Sequence, residues 1–328
     1  MKMSSRFLFL PLLIVLVGAT LPAGAQSYPS RPISIIVPYP AGGVTDTLVR
    51  LVAERMREQL GQPVLTENMS GASGTIGAAR VARAAPDGYT LLLGNSEAFV
   101  LTPATMSSLP YDPVKAFAPI AMLPTYPFIL VATNNVPADN LKGLIGWMKS
   151  NSGKVLQGTV GTGTMQQLCG IEIQNTIGAK WELIPYRGGP PAIQDILAGQ
   201  INFMCTATGS FLPLVQAGQI KAFAVTAPKR IAAAPDIPTV DEAGLPGFYV
   251  GIWNALWAPA GTPKDIIAKL NAAANAAMSD PVFQKKIVEL GLDMPPQAQR
   301  SPEGLAAKRD SDDAKWWPII KGAGLKAE

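Results

Sequence analysis

Ser34-Ile35-Ile36-Val37-Pro38-Tyr39-Pro40-Ala41-Gly42-Gly43-Val44-Thr45-Asp46 changes its pattern twice within a few residues. Ser34–Tyr39 reads as a buried strand, and Pro40–Gly43 breaks it. A helix then runs from about Thr45 to Leu60. Leu48, Val52, Met56 and Leu60 repeat along one face, with Arg50, Glu54, Arg57 and Glu58 off that stripe. Gly61 stops the helix, as glycine does just past a C-terminus. Strand, glycine loop, helix is the repeating unit of a parallel α/β sheet.

The same unit recurs outward from this stretch. Val64–Thr66 is a short strand, Ser70–Gly74 a second glycine loop, Ile76–Ala84 a helix and Tyr89–Leu93 a strand. Further on, a helix at Leu141–Ser150 precedes a strand at Val155–Val160. The loop Gly161-Thr162-Gly163-Thr164 opens a helix at Met165–Ile177. Strands at Trp181–Pro185, Ile201–Cys205 and Lys221–Thr226 follow, with a helix opened by Pro190 and ended by Gly199. This grammar predicts parallel sheets with helices on both faces. Near the C-terminus, Thr262 caps a helix with Pro263 in its first position, and Asp280-Pro281 starts the next, which Gly291 stops.

The N-terminus sets the compartment. Lys2 and Arg6 are followed by an apolar run, Phe7–Val17, and by Ala23-Gly24-Ala25. That is the layout of a secretory signal peptide, residues 1–25, cut before Gln26. The run is shorter than the roughly 20 residues needed to span a bilayer. The remaining 303 residues suit about two domains. Without Lys2 and Arg6, the 27 basic residues fall to 25 against 23 acidic, a formal +2. So weak a balance, with no Lys/Arg run, argues against nucleic acid as a partner.

The chain contains no histidine. That removes Ser-His and Cys-His nucleophiles and histidine-ligated metal sites. A Ser-Lys enzyme or a carboxylate-pair hydrolase stays open. The two cysteines, Cys169 and Cys205, most simply form one disulfide in an oxidising compartment; two separate buried thiols are the alternative.

Three glycine loops share one design: Pro40–Gly43, Ser70–Gly74 and Gly161–Thr164 each lie between a strand and a helix. Amides at a helix N-terminus are unpaired, and the helix dipole there favours negative charge. Such an end holds a carboxylate or phosphate without a cationic side chain. A dinucleotide fingerprint is rejected, because Gly71, Gly74 and Gly77 have the wrong spacing. Asp46 has two readings, a helix-start acid favoured by the dipole or a support for the glycine loop. Of Trp253 and Trp257, one is expected in the core and the other could wall the cleft.

At this point the chain resembles the periplasmic solute receptors of tripartite tricarboxylate transporters, the Bug receptors. The resemblance rests on Val37–Gly43 followed by Asp46, Glu67-Asn68 with Gly71-Ala72 and Ile76-Gly77, and Pro185-Tyr186-Arg187-Gly188. It continues through Ala198-Gly199-Gln200, Ile237-Pro238-Thr239, Trp253–Leu256 and Gly261-Thr262-Pro263. It implies an α/β, two-lobed type II periplasmic-binding-protein fold with two crossing strands. Lobe one would comprise 26–125 plus 250–328, and lobe two 126–249. It also implies a monomer without metal or cofactor that captures a small organic acid for inner-membrane permease subunits. The candidate ligand residues are Tyr39, Pro40, Ala41, Gly42, Gly43, Asp46, Ser73, Asn95, Ser96, Gly161, Thr162, Gly163, Thr164, Tyr186, Thr206 and Ala207.

Two positions depart from the family pattern. The second loop usually reads Arg-Pro-Gly-Ala-Gly-Gly, and here it is Met69–Gly74. Close relatives with both cysteines usually carry an acid where this chain has Thr206. A buried ammonium needs a carboxylate partner, so Thr206 points to a ligand without one: a dicarboxylate or aromatic carboxylate. A secreted histidine-free hydrolase and a sensor feeding a signalling protein are the alternative functions.

Overall fold

A computed structural model describes residues 28–326; the signal-peptide segment and its cleavage position lie outside the described residues. In chain order the elements are β1 (Ile33–Val37), α1 (Val44–Leu60), β2 (Val64–Asn68), α2 (Thr75–Ala82), β3 (Thr90–Asn95), α3 (Thr102–Thr105) and β4 (Phe117–Thr133). They continue with α4 (Leu141–Ser150), β5 (Leu156–Thr159), α5 (Met165–Ile177), β6 (Glu182–Pro185), α6 (Gly189–Leu197), β7 (Phe203–Ala207), α7 (Thr208–Gln216) and β8 (Ile220–Val225). The chain closes with β9 (Gly251–Pro259), α8 (Lys264–Ser279), α9 (Pro281–Glu289) and α10 (Pro302–Gly322).

The strands run in the order β2-β1-β3-β9-β4-β7-β5-β6, with β8 also on β4. Two parallel groups, β2-β1-β3 and β7-β5-β6, match the sequence reading. Between them the reading needs an addition, because β4 and β9 are antiparallel to each other and to their outer neighbours. Phe117–Pro127 of β4 pairs with β9, while Phe128–Thr133 pairs with β7 and β8. One strand therefore belongs to both sheets. Val250, just ahead of β9, accepts the Thr226 hydroxyl.

The α1 stripe packs as its spacing demands. Leu48, Val52 and Met56 are fully buried and Leu60 nearly so, against Ile33, Ile35 and Val37 of β1 and Leu270 and Ala274 of α8. Gly61 takes a left-handed φ of 68° and donates back to Arg57. One cap is displaced. Pro263, not Thr262, is the N-cap of α8, because the Thr262 hydroxyl is committed to the Pro259 carbonyl at 2.8 Å. Asp280 caps α9 as expected, accepting from the Phe283 amide at 2.8 Å. Cys169 of α5 and Cys205 of β7 form a disulfide, both sulfurs in fully buried residues.

Candidate functional site

The first glycine loop is held by Asp46. Its Oδ2 accepts from the Gly42 amide and from Arg50 Nε, each at 3.0 Å, and its Oδ1 accepts from Asn68 Nδ2 at 2.8 Å. Arg50 draws the Asp46 carboxyl down to about 2, aided by the Gly42 and Asn68 hydrogen bonds. Of its two readings, the loop support is therefore the one realised. The Gly42 amide is spent on this carboxylate. The first-turn amides of α1 are not, since Gly43, the N-cap, offers no side-chain acceptor.

A stability consequence follows from the depressed carboxyl. Its stabilising effect is full above the usual carboxylate range and disappears as pH falls through about 2. Asp46→Asn keeps the shape but turns one acceptor into a donor facing donors. It should lower the unfolding free energy by about 1–2 kcal/mol at pH 7, allowing for the half-exposed Arg50. Denaturant titrations should show the deficit shrinking as pH falls from 4 towards 2. A deficit independent of pH would mean the charge plays no part.

The loop after β2 winds through positive φ at Gly71, Ala72, Ser73 and Gly74. Successive amides in a turn can make an anion-binding concavity, although here the Gly74 amide is taken by the Gly71 carbonyl at 2.9 Å. The third loop behaves differently. The Gly163 amide donates to Gln167 Oε1 at 2.8 Å, and Thr164 Oγ1 accepts from the Gln167 amide at 3.4 Å. The Met165 amide donates to Glu97 Oε1 at 3.3 Å. The expected open anion end of α5 is thus largely occupied by the protein's own side chains.

Two adjoining cavities lie among these loops. The larger, about 580 Å³, is walled by Pro38–Pro40, Ser70, Gly71, Ser73, Gly74, Thr162–Thr164 and Glu97, with Ala98, Thr102 and Thr105 behind. The smaller, about 400 Å³, is walled by Tyr39, Pro40, Ala41, Gly43, Val44, Thr45, Asp46, Asn95, Glu97, Tyr126, Ala207 and Ile252. Neither wall contains a lysine or arginine. The Tyr126 hydroxyl pairs with Thr45 Oγ1 at 2.8 Å, and the buried Tyr39 hydroxyl has no partner among the described residues.

The tripartite tricarboxylate transporter family receptor model matches residues 48–325. The chain belongs to this family. The solved periplasmic binding protein BugD shares 39% identity with the receptor over 92% of this chain and 100% of its own, at a TM-score of 0.72. MatC of Rhodopseudomonas palustris, solved with bound malate, shares 35% over 89% and 100%, also at 0.72. A second R. palustris protein, solved with adipate, shares 29% over 91% and 99%, at 0.75. The receptor thus has the two-lobed type II periplasmic-binding-protein fold. Family and fold are those of solute-binding receptors.

Of the candidate ligand residues, eleven reach a cavity wall of the receptor: Tyr39, Pro40, Ala41, Gly43, Asp46, Ser73, Asn95, Thr162, Gly163, Thr164 and Ala207. Five do not. Gly42 is turned to Asp46, and the Gly161 carbonyl is held by Thr164 Oγ1 at 2.9 Å. Ser96 is fully buried. The Tyr186 hydroxyl donates to Asp195 at 2.6 Å, and burial pushes it up to about 12. Thr206 is 2% exposed in β7, opposite Ile129. Neither tryptophan walls the cleft. Trp257 is fully buried against Phe99, and Trp253 Nε1 donates to Asp312 of α10 at 2.7 Å. Outside the candidate set, Val44, Thr45, Tyr126, Ile252 and above all Glu97 also wall the cavities.

Proposed function

We propose that this receptor captures a small carboxylate in the cleft between lobe one (26–125 plus 250–328) and lobe two (126–249). It then presents the ligand to the inner-membrane permease subunits of a tripartite tricarboxylate-type transporter. The signal peptide directs it to the periplasm, where it works as a monomer without cofactor or metal.

One observation carries this reading. The uncapped N-terminus of α1 lies in the wall of a cavity that has no basic side chain. Backbone amides and the helix dipole hold a carboxylate there without a counter-cation. Malate and adipate in the two R. palustris relatives support a carboxylate of this size. The test is a thermal-shift screen of malate, adipate, terephthalate, citrate and glutamate, followed by calorimetry on the hits. A ligand that binds only the folded state raises the melting temperature. If no carboxylate shifts the melt of folded protein, the reading fails.

A further inference from the structure

Glu97 stands where the two cavities meet. It walls both, as do Tyr39 and Pro40. It follows β3 directly and opens the short turn Glu97–Leu101. Among the described residues its one hydrogen bond is the long one from the Met165 amide to Oε1, and no salt bridge reaches it. Asp46, the other acid in the cavity walls, has both oxygens committed, to Gly42, Arg50 and Asn68.

A carboxylate accepts about four hydrogen bonds. Glu97, half-buried in the wall of both cavities, spends one acceptor on the Met165 amide and leaves the others without a partner among the described residues. Burial pushes the Glu97 carboxyl above its usual range, and only the Met165 amide opposes this. Tyr39 and Tyr126 lie close enough for Glu97 to raise their hydroxyls further, so the surroundings are neutral or acidic. When Glu97 is ionised, a simple dianion in this cleft meets a like charge at short range. A ligand bringing its own positive charge removes the conflict. Its carboxylate would take the α1 amides and its cation would take Glu97.

We propose that Glu97 is the ammonium-recognition residue of this cleft, selecting carboxylates that carry an ammonium group over their deaminated counterparts. This rests on the carboxylate-receptor reading above. It reverses the expectation drawn from Thr206, which stands outside both cavity walls and so says nothing about what they accept.

The experiment is paired calorimetry on the mature receptor with two matched sets, L-glutamate against glutarate and L-phenylalanine against 3-phenylpropionate. Within each pair only the ammonium differs. The wild-type protein should bind at least one amino member about tenfold or more tightly than its partner. Glu97→Gln keeps an acceptor for the Met165 amide but removes the charge, and should bring that ratio close to one. Glu97→Asp keeps the charge and should retain part of the preference. Equal or tighter binding of the deaminated members by the wild-type protein overturns the proposal. So does a ratio that Glu97→Gln leaves unchanged. Should Glu97→Gln fail to fold, Glu97→Asp decides in its place, and a ratio that it leaves unchanged overturns the assignment. If neither member of either pair binds but other carboxylates do, the Glu97 assignment falls and the receptor reading stands. If no carboxylate binds at all, both fall.

Discussion

Valine at position 43 should remove ligand binding while leaving the fold in place. Gly43 sits at φ −76° and ψ 167°, an extended conformation open to any residue. A Cβ built there meets only the Pro40 carbonyl oxygen, at 3.9 Å. The backbone therefore does not resist a β-branched side chain, and no protein atom has to move. The added volume instead enters the smaller cavity, whose wall Gly43 forms beside Val44 and Thr45. It covers the first-turn amides that the proposed carboxylate needs. Stability should fall by about 1 kcal/mol, since glycine is a much better N-cap than valine. Affinity should fall about 100-fold or more, close to 2.7 kcal/mol. Calorimetry on the variant, with a circular-dichroism melt as control, reads both numbers. Gly42→Val is the contrast: Gly42 has φ +85°, so valine there strains the loop itself. Unchanged affinity in Gly43→Val would move the anion away from α1.

Helices with a clean apolar stripe could be read from the sequence almost to the residue. α4 and α5 have the bounds their spacing suggested, and α1 begins one residue earlier. The long strand β4 could not. Its Pro119, Pro124 and Pro127 look like breakers, because proline cannot donate to a ladder. The fold accommodates them at irregular points, with register shifts between Pro119 and Ala121 and between Leu123 and Tyr126. α7 and α10 were hidden for a related reason, each containing an internal proline, Pro213 and Pro318.

The site was legible where it consists of glycine turns. Strands β1, β2, β3 and β5 all deliver their carboxyl ends to the cavities, as open α/β sheets do. Following β3 as far as Asn95 and Ser96 stopped one residue short of Glu97. No motif marks that residue, because its significance comes from what lies opposite it. The same limit explains Tyr186 and Thr206. Each sits in a stretch that resembles the family's site, yet their side chains are committed elsewhere, one to Asp195 and one to the sheet interior.

Replacing both Cys169 and Cys205 by alanine should cost about 3–4 kcal/mol of stability and leave ligand affinity unchanged. The bridge spans 36 residues of sequence, and closing a loop of that length restricts the unfolded chain by about that amount. It ties α5 to β7, two elements whose Leu168, Ile173 and Phe203 otherwise share one apolar core. Neither cysteine walls a cavity. A stability loss with normal binding would therefore separate this residue pair from Gly43, where the opposite is expected. Denaturant unfolding of the double variant measures the loss, and calorimetry at a temperature where it remains folded measures affinity. Alkylation of the unreduced, periplasmically expressed wild-type protein provides the control. Two freely modified thiols, or a stability loss well below 1 kcal/mol, would show that the bridge does not form in the native receptor. A large loss of affinity in folded protein would show instead that the bridge fixes α5 where it faces the ligand, through the Thr162–Thr164 wall that leads into that helix.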